Sequence, residues 1–158
     1  MTTGNDPYRL LFVCTGNICR SPMAEVIAIS YAGERMRPVK VQSASTLGLD
    51  GRPADPKAVA VCKEIGLDLT QHRSQPLTGE IIGWAEHVLV MEYAHAQFIR
   101  ENHPEVGDKL MLLGTFGGML EIADPIGGWK FKFRRSRKDL QRCVEGFIDR
   151  LPPTKRTT

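Results

Sequence analysis

Cysteine is scarce in this sequence, with four residues in 158, and they do not fall in pairs. Cys14, Cys19, Cys62 and Cys143 are too irregularly spaced for a disulfide framework. No Cys-x-x-Cys or Cys/His cluster suggests zinc. Long apolar runs are missing too, since charges or glycines interrupt every stretch that could cross a bilayer. Residues 1–7 carry neither a basic n-region nor an apolar h-region, so a secretion signal is not expected. Free thiols without such a signal fit a reducing cytoplasm. There is no internal repeat, and no linker divides the chain. A single domain is expected over 9–151, with a loose leader at 1–8 and a tail at 152–158.

Apolar residues make up 42% of the chain and charged residues 25%, ordinary values that disfavour disorder. The net charge of +3 is unevenly placed. Residues 130–142 hold seven basic side chains and one acid, a local +6, leaving 3 − 6 = −3 elsewhere. One basic patch on an otherwise acidic chain argues against a general nucleic-acid binder.

Short apolar runs at 9–13, 39–43, 87–91 and 109–113 read as strands. Between them, Met23, Ile27 and Tyr31 recur at helical spacing after Pro22. Asp55-Pro56 opens a second helix, with Ala58, Val61, Cys62 and Ile65 on one face and Gly66 as its stop. Further helices are expected at 76–84 and 93–102. A last one carries Leu140, Cys143, Val144, Phe147 and Leu151, after a glycine-rich loop at 114–128. This alternation predicts an α/β domain, a doubly wound four-stranded parallel sheet flanked by helices.

The first strand runs into Cys14-Thr-Gly-Asn-Ile-Cys-Arg-Ser-Pro22, and a helix follows. At this position in a parallel sheet, loop N–H groups and the helix end form an anion site. Among the cysteines only Cys14 has an arginine six positions on. A five-residue loop wraps a tetrahedral phosphate above a cysteine sulfur. Arg20 closes the ring with a planar fork for two phosphate oxygens. Such surroundings favour a thiolate, the nucleophilic form of cysteine. The bland alternative is a glycine turn with an inert thiol, which the strand–loop–helix context disfavours. No Gly-Lys-Ser/Thr follows, so this is not a nucleotide loop.

That loop, followed by Met-Ala-Glu25, resembles the signature of the low-molecular-weight protein tyrosine phosphatase family. Ser43-Ala44, Ala54-Asp55-Pro56, His72-Arg73-Ser74, Met91-Glu92 and Asp124-Pro125 extend the likeness from about residue 10 to 151. The resemblance implies that Cys14 forms a phosphocysteine and that Arg20 binds phosphate. Thr15, Gly16, Asn17, Ile18 and Cys19 would form the phosphate loop, and Ser21 would hydrogen-bond the sulfur. It further implies that Asn17 is held by Ser43 and His72. Cys19 would pair reversibly with Cys14 under oxidation. The resemblance selects Asp124, on the long loop, as general acid and base; residue reading alone leaves Asp55 open. A phosphorylated protein is the implied substrate. No metal or organic cofactor is required, and neither membrane insertion nor nucleic-acid binding is expected.

Two features depart from the family pattern. Ile126 stands where an aromatic wall is usual, and Trp129 or Phe131 is a candidate replacement; the segment 129–135 also reads as a plain amphipathic stretch. Asp124-Pro-x-Gly-Gly128 and Ser74-Gln-Pro-Leu-Thr78 are similar to protein-arginine phosphatases, whereas the bulky Ile18 favours phosphotyrosine. An arsenate reductase lacks the further cysteines it would need, and a non-enzymatic phosphate-binding adaptor leaves Cys14 and Asp124 without a purpose. His87, His95 and His103 show no ligand spacing and read as surface or packing residues.

Overall fold

The apolar run that ends at Cys14 forms β1 (Tyr8–Cys14) in the middle of a parallel sheet. It pairs with β2 (Val39–Ser45) on one side and β3 (His87–Val90) on the other, and β4 (Leu110–Leu112) adds to β3. The strand order is therefore β2-β1-β3-β4. The structure is a computed structural model that describes residues 6–153. Most of the expected leader and of the tail lies outside the described residues.

β1 is apolar on both faces because both are covered. Leu10, Phe12 and Cys14 face one core, shared with α1 (Arg20–Glu34), α2 (Pro56–Lys63) and α5 (Lys130–Arg150). Leu11 and Val13 face the other, under α3 (Gly79–Trp84) and α4 (Tyr93–Asn102). The chain leaves β1 toward β2, then returns to β3 on the opposite side. The carboxyl end of β1 thus lies where the strand order reverses, the usual ligand crevice of such sheets.

The expected doubly wound four-stranded sheet is present, with differences at element ends. α2 starts as expected, with Asp55 accepting the Lys57 N–H at 2.8 Å. It stops at Lys63, however, so Ile65 leaves its buried face and is partly exposed. The helix expected from residue 76 begins only at Gly79, because Thr78 is its cap and Pro76 bridges to Ser45. In α5, Phe133 and Arg137, one turn apart, both point inward. Trp129 and Phe131 stay exposed. The basic run is partly neutralised by Glu64, which takes Arg134 at 2.7 Å, Arg137 at 2.9 Å and Lys130 at 3.8 Å. Those hydrogen bonds, led by Arg134, hold the Glu64 carboxyl down at about 2.

Candidate active site

Cys14 ends β1 and is buried at the base of a cavity of about 140 Å³. Its sulfur receives the backbone N–H of Asn17 at 3.3 Å and of Ser21 at 3.4 Å. Ser21 Oγ lies 2.9 Å from the sulfur and also accepts the Asn17 amide N–H at 2.7 Å. With its lone pair used that way, the Ser21 hydroxyl is free to donate its proton to sulfur. Two backbone N–H groups and a hydroxyl able to donate thus converge on Sγ.

The loop curls because Asn17 adopts φ 56°, a left-handed conformation taken up here without glycine. Three contacts hold it there. Asn17 Oδ1 accepts the Gln75 N–H at 3.0 Å, its Nδ2 donates to Ser21, and its carbonyl accepts from His72 Nε2 at 2.6 Å. A carbonyl can only accept, so His72 carries its proton on Nε2. Burial pushes the His72 pKa down. Asn17 is not hydrogen-bonded to Ser43, contrary to expectation. The Ser43 carbonyl takes the Gln75 amide at 3.0 Å, so Gln75 is the residue that bridges to the loop.

The segment after β2 holds the front of the loop. Ser45 Oγ donates to the Thr15 carbonyl at 2.6 Å, and Leu47 N–H donates to the same oxygen at 3.0 Å. This brings Leu47 and Leu49 to the cavity rim beside Ile18 and Ile126. Neither leucine was singled out from the sequence, which carries no motif at that point. Trp129 and Phe131 do not line this cavity, so neither stands in for an aromatic wall. Cys19 caps α1 without a side-chain bond, leaving the first-turn amides open toward the loop. Burial, with Asp55 and Asp124 nearby, pushes its thiol far up.

Arg20 is almost wholly buried, and α4 holds it. Its Nη1 donates to Glu92 Oε2 at 2.7 Å and to the Ile122 carbonyl at 2.8 Å. Both Nη1 protons are thereby used, leaving Nε–H and the Nη2 pair for a ligand. Asp124 Oδ2 sits 3.5 Å from Nη2 and lines the cavity with Cys14. Asp55, the rival acid, is occupied in capping α2. In the sequence Glu92 is only part of a motif, and its grip on Arg20 spans 72 residues. His95, read as a surface or packing residue, is buried and reaches the loop through Thr15 at 2.9 Å. Among the described residues no cluster of His, Cys, Asp and Glu could hold a metal ion.

A family model for low molecular weight phosphotyrosine protein phosphatase matches residues 9–156. The chain belongs to that family. It is 40% identical over 147 residues to a protein-arginine-phosphatase of Geobacillus stearothermophilus, covering 92% of this chain and 97% of that one. It is 37% identical over 142 residues to the probable low molecular weight protein-tyrosine-phosphatase EpsP of Ralstonia nicotianae, covering 90% and 94%. A crystal structure of a low molecular weight protein tyrosine phosphatase from T. tengcongensis superposes with a TM-score of 0.87 at 34% identity, covering 91% of this chain and 99% of that one. The family therefore includes both phosphotyrosine- and phosphoarginine-named relatives on one fold.

Proposed function

We propose that the protein hydrolyses phosphotyrosine in phosphorylated proteins through a phosphocysteine intermediate on Cys14. The observation that carries this reading is the rim: Ile18, Leu47, Leu49 and Ile126 surround the Cys14–Arg20 pocket with aliphatic carbon, suited to an aromatic ring. Cys14 Sγ attacks phosphorus while Asp124 gives its proton to the departing phenol oxygen. Arg20 and the loop amides hold the equatorial oxygens as charge builds. Water, deprotonated by the Asp124 carboxylate, then breaks the S–P bond, releasing phosphate, restoring the Cys14 thiolate and returning the proton to Asp124. Cys19, Asn17, Ser21 and His72 shape the loop, and Cys19 also serves as the redox partner of Cys14. Four unpaired cysteines and the lack, among the described residues, of a helix able to cross a membrane support a cytoplasmic setting.

A second reading, phosphoarginine hydrolysis, is favoured by the 40% identity to a protein-arginine-phosphatase and by the Asp124-Pro-x-Gly-Gly128 pattern. The deciding experiment compares phosphotyrosine and phosphoarginine peptides with wild type and Ile18→Thr. Wild type should prefer phosphotyrosine, and the smaller Thr should shift the ratio toward phosphoarginine. A wild type that cleaves only phosphoarginine overturns the first reading in favour of the second.

A further inference from the structure

The phosphatase mechanism leaves His95 unused, although its ring is buried against the phosphate loop. His95 lies in the first turn of α4, where its Nδ1 accepts the Glu92 backbone N–H at 3.1 Å. Nδ1 therefore carries no proton, and Nε2 carries the ring's only one. That proton points to Thr15 Oγ1 at 2.9 Å, with Glu92 Oε2 further off at 3.7 Å. Thr15 lines the phosphate pocket, and accepting from His95 leaves its own hydroxyl proton free. The same Glu92 grips Arg20 at the other end of the loop.

We infer that neutral His95 is a positioning residue that aims the Thr15 hydroxyl proton at the bound phosphoryl group and ties both ends of the loop to α4. The inference rests on the phosphatase reading above and adds a residue to it. Capping α4 needs only Nδ1, so the Thr15 bond is surplus to a purely structural role. Four charged groups face the ring: Arg20 from α1, Glu92 from the α4 cap, and Glu121 and Asp124 from the acid loop. Burial first, then Arg20, keeps the imidazole below the usual histidine range, against the opposing pull of the carboxylates. Protonation would place hydrogen on Nδ1 against the Glu92 N–H and push that pair apart.

Two isosteric variants divide the ring's contacts. His95→Asn keeps an acceptor at the Nδ1 position and loses Thr15, whereas His95→Gln places an amide near Nε2. With an aryl phosphate, His95→Asn should retain the wild-type Tm yet lose about tenfold in kcat/KM, as expected for one hydrogen bond felt by the reacting group. His95→Gln should recover most of it. Thr15→Val, on an exposed residue, should lose as much, and adding His95→Asn to it should cost little more. The wild-type kcat/KM profile should also carry an acid limb below the histidine range that His95→Gln lacks. Wild-type kcat/KM in His95→Asn, or additive losses with Thr15→Val, overturns the inference. Calorimetric affinity for inorganic phosphate reads it without turnover: His95→Asn should bind more weakly, and unchanged affinity sinks it. A wild type that binds phosphate but hydrolyses nothing removes the phosphatase reading instead.

Discussion

Removing the Glu92 carboxylate should cripple Arg20 without touching the phosphate loop itself. Arg20 is 1% exposed, and its Nη1 has two anchors, Glu92 Oε2 at 2.7 Å and the Ile122 carbonyl at 2.8 Å. Glu92→Ala deletes one of them and frees the guanidinium to rotate off the phosphate. A charge-assisted hydrogen bond contributes roughly 1.5–3 kcal/mol. Glu92 is one-third exposed, so solvent screening favours the lower end, about 1.5 kcal/mol, or roughly tenfold in kcat/KM. Glu92 also caps α4 through the His95 N–H, which adds about 1 kcal/mol of lost stability. Together these, about 2.5 kcal/mol, lower Tm by roughly 5–10 °C in a domain of this size. The loss should fall on kcat. The carboxylate repels a phosphate dianion, so its removal does not weaken ground-state binding, while transition-state alignment suffers. Glu92→Gln, which keeps an oxygen for Nη1, should lie between. Steady-state kinetics on an aryl phosphate settle the matter: kcat within twofold of wild type in Glu92→Ala, or a loss confined to KM, refutes the clamp.

Asp124→Asn should lose about 10²–10³ in kcat on phenyl phosphate but far less on p-nitrophenyl phosphate, whose leaving group needs no proton; equal losses on both would remove Asp124 from the acid role. Cys14→Ser should abolish turnover while inorganic phosphate still binds by calorimetry, because amides and Arg20 hold the anion. Loss of binding would assign that affinity to the sulfur instead. Glu25 supplies a pH-dependent test of stability. Burial raises its carboxyl to about 7, against the Ser43 hydrogen bond that lowers it. The folded state therefore binds the extra proton between about 4.5 and 7, and stability falls as pH rises through that window. Glu25→Gln has no such charge to bury, so the variant should gain on wild type by up to about 3 kcal/mol at pH 8 and match its pH trend below 4.5. Parallel denaturation curves from pH 4 to 8 would contradict this.

The strands and most helices were legible because their signals are local. A run buried on both faces reads as continuous apolar sequence, and Asp55-Pro56 announces a helix by a bond only two residues long. Where expectation and structure part, a distant contact decided. Residues 130–142 looked like one basic patch in sequence. A helix spreads successive residues by 100°, and Glu64 then collects three of the seven cations from 66 or more positions away.

The candidate site divides along the same line. Cys14 through Ser21 is contiguous, so one stretch of sequence displays the nucleophile, the amides and the arginine together. What sets that loop's geometry is not contiguous. Ser45, Gln75 and the Glu92–His95 pair approach it from three separate segments, and nothing local in the sequence shows that these side chains meet the loop. The motif therefore specifies which atoms react, whereas the packing of β2 and α4 against it specifies where they stand. Substitution of Cys14 or Arg20, whose atoms meet the phosphoryl group, should accordingly remove activity outright. Substitutions in the four supports should leave a working enzyme whose loss is graded, at most about tenfold for each hydrogen bond taken from the loop.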